Sequence, residues 1–280
     1  MEMLVSTEWL AGELGKPDLV VLDCSTFLPG EPGNKHDAFR TAHIPGSRLF
    51  DIDKIADDET DLPHMVPTPA KFARMVGALG VSNDSRVVFY DQHGLRSSPR
   101  GWWMMRLFGH DNVAVLDGGL PAWKKEGRAV ETGDVPAPAA VTFVPDFRAS
   151  MLKGIGDIKQ IVADGSALII DARAKGRFDG TAPEPRAGLP SGHMPGAANV
   201  PSSEIAGADG KTKDPSTLRA LFAAAGATGG KPVVTSCGSG VTACVLAFGM
   251  VRAGLPEPAV YDGSWTEWAS RPETTKEKTA

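Results

Sequence analysis

"PVVTSCGSGVTACVLAFGMVRAG", residues 232–254, joins two kinds of pattern in one short stretch. Residues 233–236 are rich in β-branched side chains, which suit a strand. Gly238 and Gly240 then bracket Ser239, and the run from Val241 to Arg252 reads as a mostly apolar helix closed by Gly254. Strand, tight loop, helix is the arrangement with which α/β proteins aim a ring of backbone N–H groups at an anion. Cys237 stands at the end of the strand, inside that ring, so the anion it is built around is the cysteine's own sulfur.

The unit is not alone. "RVVFYD" at 86–91 parallels "PVVTSC" at 232–237, 146 residues on, and "TPAKFARMVGALG" at 68–80 parallels "DPSTLRALFAAAG" at 214–226 at the same offset. Each of the latter two carries a capping side chain, a proline at the first helical position and a closing glycine. "AHIPGS" at 42–47 returns as "GHMPGA" at 192–197, "VVLDCS" at 20–25 as "LIIDAR" at 168–173, and "LDGGLPAW" at 116–123 as "YDGSWTEW" at 261–268. These are two homologous domains, not a solenoid. Short strands alternating with helical stretches of about 10–14 residues predict an α/β fold, each copy a parallel sheet flanked by helices on both faces. The expected limits are 1–130 for a non-catalytic domain, 131–150 for a Pro- and Ala-rich linker, and 151–280 for a catalytic domain. The alignment puts Asp91 where the second copy has Cys237, in a loop one residue longer, so the chemistry belongs to the second domain and the first is a supporting wall.

The 280 residues are 42% hydrophobic and carry a net charge of −5, with no basic stripe, which argues against nucleic acid or an anionic membrane as a partner. No apolar run approaches the roughly 20 residues of a membrane span. The first residues, MEMLVSTEWLAGEL, resemble neither a signal peptide nor a transit peptide. Three scattered cysteines make no disulfide framework, so a reducing, cytoplasmic setting is expected. The six histidines offer no pair with cysteine at zinc spacing, and neither a metal nor an organic cofactor is expected. Cys24 and Cys244 read as small buried hydrophobes.

The paired HIPG and HMPG motifs, the CGSGVTAC loop and YDGSWTEW together resemble the two-domain sulfurtransferases of the rhodanese superfamily. Among these the chain is most similar to the 3-mercaptopyruvate sulfurtransferases, from about Trp9 to Trp268. The resemblance implies a ping-pong reaction in which Cys237 takes sulfur from 3-mercaptopyruvate as a persulfide, releases pyruvate, and passes the sulfur to cyanide, a small thiol or thioredoxin. It assigns Arg177 and Arg186 to the donor's carboxylate, for which bidentate guanidinium pairing is well suited. The plainer alternative is that both are surface arginines in ion pairs with Asp179 or Glu184. The resemblance also implies a proton relay of Ser239, His64 and Asp53. The loop residues Gly238, Gly240, Val241 and Thr242 would bind donor and persulfide through their backbone. Thiosulfate sulfurtransferases carry Cys-Arg-Lys-Gly where this chain has Cys237-Gly238-Ser239-Gly240, so a thiosulfate preference is the second reading. Arg96 stands where related animal enzymes have an aromatic residue, an added cation expected near the donor's entry. A cysteine phosphatase is excluded because the arginine of C-x5-R is replaced by Ala243. A purely binding, cysteine-free module describes the first copy but not the second.

Overall fold

In the first copy the strands are β1 (Leu4–Val5), β2 (Leu19–Asp23), β3 (Arg48–Leu49), β4 (Arg86–Tyr90) and β5 (Val113–Leu116). In the second they are β6 (Leu152–Lys153), β7 (Leu168–Asp171), β8 (Ala198–Asn199), β9 (Val233–Ser236) and β10 (Ala259–Tyr261). They form two sheets in this computed structural model, which describes residues 1–28 and 30–279. The orders are β1-β5-β4-β2-β3 and β6-β10-β9-β7-β8, with every pairing parallel. The repeat seen in the sequence is therefore a repeat of topology.

Val20, Val21 and Leu22 are buried in succession, as are Val87, Val88 and Phe89, because helices cover both faces of the sheet and leave no solvent side to alternate toward. On one face of the first sheet Leu10 and Trp123 pack with Val21, Val88 and Leu116. On the other, helix Ser98–Leu107 lies close enough that a Cβ on Gly101 would meet the Phe89 ring at 2.3 Å. In the second copy Ile158, Ile161, Trp265 and Trp268 cover Ile169, Val234 and Tyr261. Helix Ala243–Arg252 packs on the opposite face, buried from Ala243 to Met250. The predicted caps are present. Thr68 accepts from the Lys71 N–H and Asp214 from those of Ser216 and Thr217, each ahead of a proline.

The residues cluster into two compact units, 1–58 with 66–148 and 206–212, and 59–65 with 149–205 and 213–280. The stretch expected as a linker is hydrogen-bonded along the first unit as far as Arg148. Val141 donates to Gly77 O (3.0 Å), Asp146 to Phe108 O (2.9 Å) and Arg148 to Leu107 O (2.8 Å), and Phe143 is buried against Phe72. No helix among the described residues is long and apolar enough to cross a membrane.

In each sheet the chain steps outward from the second strand to the third, then returns on the second strand's other side. Such a reversal opens a crevice beyond the carboxyl ends of the two strands that flank it. In the second unit these are β7, followed by Arg173, and β9, followed by Cys237.

Candidate active site

Cys237 is 2% exposed, and its loop is held from behind by helix Ser264–Ser270. Trp265 N–H donates to Cys237 O (2.9 Å) and Thr266 N–H to Gly238 O (3.0 Å), a carbonyl that also accepts from the Thr266 hydroxyl at 2.6 Å. The Ser264 hydroxyl accepts from the N–H groups of both Cys237 and Gly240 (3.1 Å each) and donates to Tyr261 O (2.7 Å). With the carbonyls drawn outward, the N–H groups of Gly238, Ser239, Val241 and Thr242 have no hydrogen-bond partner among the described residues. Gly240, expected to donate to the donor or persulfide, instead gives its N–H to Ser264, and its φ of +78° makes the turn possible.

The first unit shows what such a ring does. The buried Asp91 carboxylate, at the cysteine's place, accepts from the N–H groups of His93, Arg96, Ser97 and Ser98 at 2.9–3.0 Å and from the Ser98 hydroxyl at 2.7 Å. Burial alone would raise this carboxyl, but the donors of Ser98, Arg96 and Ser97 outweigh it and hold it below its ordinary value. There the ring closes on an anion of the chain itself.

Arg177 and Arg186 both reach the cysteine loop. Their Nη2 and Nη1 atoms lie 3.1 and 4.0 Å from where a Cβ on Gly238 would stand, so both guanidinium groups border the residue beside the cysteine. Arg177 also forms the ion pair of the plainer alternative, Nη2 donating to Glu184 Oε2 at 2.6 Å. Sequence reasoning passed over Arg173, which is buried, bonded to Asp171, Glu184 and Gly192 O, and stacked 4.3 Å over Trp265. It also passed over Ser264, although the alignment of YDGS with LDGG marked that position as different between the copies.

His64 Nδ1 and Ser239 Oγ lie 2.9 Å apart, and the segment 59–65 that carries His64 clusters with the second unit. Asp53 belongs to the first unit, on the short helix Ile52–Ile55 capped by Asp51, and Lys35 forms ion pairs with both acids. Arg96 does not stand as an open cation: Glu31 meets it through two hydrogen bonds of 2.8 and 2.5 Å, and that pairing holds the Glu31 carboxyl down at about 2. Cys24 and Cys244 are buried, and burial pushes the Cys24 thiol well up, consistent with inert packing. A cavity of about 700 Å³ in the second unit, lined by Lys153, Lys231, Pro232 and Met250, lies at the amino ends of the strands, away from Cys237.

The model of the rhodanese-like domain matches residues 6–126 and 155–271. The chain is 42% identical to thiosulfate/3-mercaptopyruvate sulfurtransferase 1, mitochondrial, of Arabidopsis thaliana, over 97% of this chain and 77% of that one. It is 42% identical to the thiosulfate sulfurtransferase of Bos taurus, over 97% and 94% of the two chains. The crystal structure of SseA from Escherichia coli, a 3-mercaptopyruvate sulfotransferase, superposes with a TM-score of 0.86 at 35% identity, covering 95% of this chain and 99% of that one. With two matched domains, one cysteine-bearing loop and full-length likeness, this chain belongs to the rhodanese family.

Proposed function

We propose that the chain is a 3-mercaptopyruvate sulfurtransferase whose nucleophile is Cys237. Relatives of nearly equal identity are named for thiosulfate, for mercaptopyruvate or for both, so overall similarity does not choose the donor. The observation that carries the choice is the convergence of Arg177 and Arg186 on Gly238, beside a loop whose own side chains bear no charge. Two planar guanidinium groups suit a carboxylate, and they would hold the keto acid with its sulfur facing Cys237.

The Cys237 thiolate attacks the donor's sulfur. The Sγ–S bond forms as the C–S bond of mercaptopyruvate breaks, and the electron pair of that bond leaves with the carbon as pyruvate enolate, which takes up a proton to give pyruvate. The N–H groups of Ser239, Val241 and Thr242 receive the outer sulfur's charge, as those of the first unit receive the Asp91 carboxylate. Ser239 and His64, in hydrogen-bond contact, carry the proton between donor thiol and enolate. An acceptor thiol, cyanide or thioredoxin then attacks the outer sulfur and restores the Cys237 thiolate. Three free cysteines fit a reducing, cytoplasmic setting.

Intact-mass measurement after exposure to mercaptopyruvate tests this. One sulfur, about 32 Da, is expected on the peptide carrying Cys237 and absent from Cys237→Ser. Arg186→Ala should lose about 1.5–3 kcal/mol of transition-state binding, roughly ten- to a hundredfold in kcat/KM. Turnover by Cys237→Ser at the wild-type rate, or an unchanged kcat/KM in Arg186→Ala, would defeat the proposal.

A further inference from the structure

Arg173 has no counterpart in the first unit, although the backbone around it does. The alignment of "VVLDCS" with "LIIDAR" sets Arg173 against Ser25, and each donates its backbone N–H at 2.9 Å to the aspartate two residues before it, Asp171 or Asp23. The alignment of "LDGGLPAW" with "YDGSWTEW" sets Trp265 against Leu120. The Leu120 N–H donates to Asp91 O (3.0 Å) just as the Trp265 N–H donates to Cys237 O (2.9 Å). Serine and leucine therefore suffice for the turn and the sheet. Both differences fall in the copy that bears the cysteine, and there they meet, the Arg173 guanidinium lying 4.3 Å over the Trp265 ring.

The rest of the guanidinium fork is fully used. Nε and Nη2 donate to Asp171 Oδ2 (3.0 and 2.6 Å), Nη2 also to Gly192 O (2.7 Å), and Nη1 to Glu184 Oε1 (2.8 Å). Two of these partners lead on to Arg177. Glu184 accepts from its Nε (3.2 Å) and Nη2 (2.6 Å), and the Gly192 N–H donates to its carbonyl (3.0 Å). The ring beneath leads to the nucleophile, because Trp265 holds Cys237 O through its backbone and Pro190 O through Nε1 (2.8 Å). We propose that Arg173 is a positioning residue for the loading of sulfur, one that fixes the Arg177 guanidinium at a set place relative to Cys237. It is 2% exposed and acts from behind both groups rather than on the donor. Only arginine offers a planar fork and a stacking face together; a lysine ammonium is a point charge with neither. This role rests on the sulfurtransferase reading above and deepens it by naming what sets the geometry between donor-binding cation and nucleophile.

In a ping-pong reaction kcat/KM for the donor reports the loading of sulfur, and kcat/KM for the acceptor reports its discharge. Two variants of the intact chain separate these steps. Arg173→Lys keeps the cation and loses the fork, while Trp265→Leu installs the residue of the first copy and leaves the buried charges paired. Each should lower kcat/KM for mercaptopyruvate roughly tenfold or more, because a misplacement of about 1 Å is enough to cost such factors. Discharge to cyanide needs no carboxylate grip, and its kcat/KM should stay within about twofold of wild type. Equal losses in the two half-reactions would make Arg173 a structural brace and overturn the proposal, as would no loss in either. Should Arg173→Lys fail to fold, Trp265→Leu decides alone. A second readout needs no turnover. Iodoacetate and iodoacetamide both alkylate a thiolate, and only the first carries a carboxylate. The ratio of their rates at Cys237 should fall roughly tenfold in either variant, whereas a loosened loop alone would change both rates alike. An unchanged ratio would overturn the proposal. A wild-type chain that draws no sulfur from mercaptopyruvate would strike the sulfurtransferase reading itself, and the alkylation ratio would still decide the role of Arg173.

Discussion

Ser264 occupies a backbone conformation with φ +49°, a region that costs an L-residue with a Cβ about 1–2 kcal/mol. The corresponding residue of the first copy is Gly119, at φ +55°, where no such strain arises. The second copy therefore tolerates strain in order to place a hydroxyl where the Cys237 and Gly240 N–H groups converge. Two substitutions separate the two effects. Ser264→Ala loses the acceptor and keeps the strain, and should destabilise the chain by about 1–3 kcal/mol in denaturant titration. Ser264→Gly loses the acceptor but relaxes the backbone, and should recover roughly 1 kcal/mol of that loss. Equal stability of the two variants would show that the φ angle stores no strain. At the same scale, the cation that Arg96 adds is paired with Glu31, an acid 65 residues away in the chain.

The two strand–loop–helix elements differ most in what they enclose. After β4 the ring of N–H groups is satisfied by Asp91, whereas after β9 the N–H groups of Gly238, Ser239, Val241 and Thr242 have no partner among the described residues. The Asp91 carboxyl is lowered in the folded chain, so it adds stability above the ordinary carboxylate range and loses it as pH falls through the folded value. Asp91→Asn replaces an acceptor with an amide and should cost about 1–3 kcal/mol near pH 7. The gap between wild type and variant should narrow as pH is taken from about 5 toward 3, where the Asp91 carboxyl of the unfolded chain takes up its proton ahead of the folded one. A gap that stays constant over that range would mean the donors do not favour the ionised form.

At the scale of the molecule, the first unit extends through the stretch 131–148, whose backbone bonds to Gly77, Leu107 and Phe108 and whose Phe143 is buried beneath it. Removing the ring in Phe143→Ala should cost about 3–5 kcal/mol and lower the unfolding temperature. A change under about 0.5 kcal/mol, the ordinary size of a surface substitution, would return this stretch to the role of a free connector. Segments 59–65 and 206–212 each cluster with the unit opposite to the one their chain position suggests, so neither unit is a continuous piece of sequence.

Local patterns determined most of this fold. Buried β-branched runs, caps before Pro69 and Pro215, and a repeat at offset 146 specify two parallel sheets wound alike, because strand and helix formation depend on neighbours a few residues away. The position of Cys237 at a strand end, inside a glycine-lined turn, was legible for the same reason. What the tertiary structure alone decided are the long-range partners: Ser264 behind the loop, Glu184 between Arg173 and Arg177, His64 against Ser239, and Glu31 on Arg96. A charge or hydroxyl in sequence names what it can bind, but which partner it meets depends on how elements tens of residues apart pack, and that packing sets the charge and the free N–H groups around the sulfur.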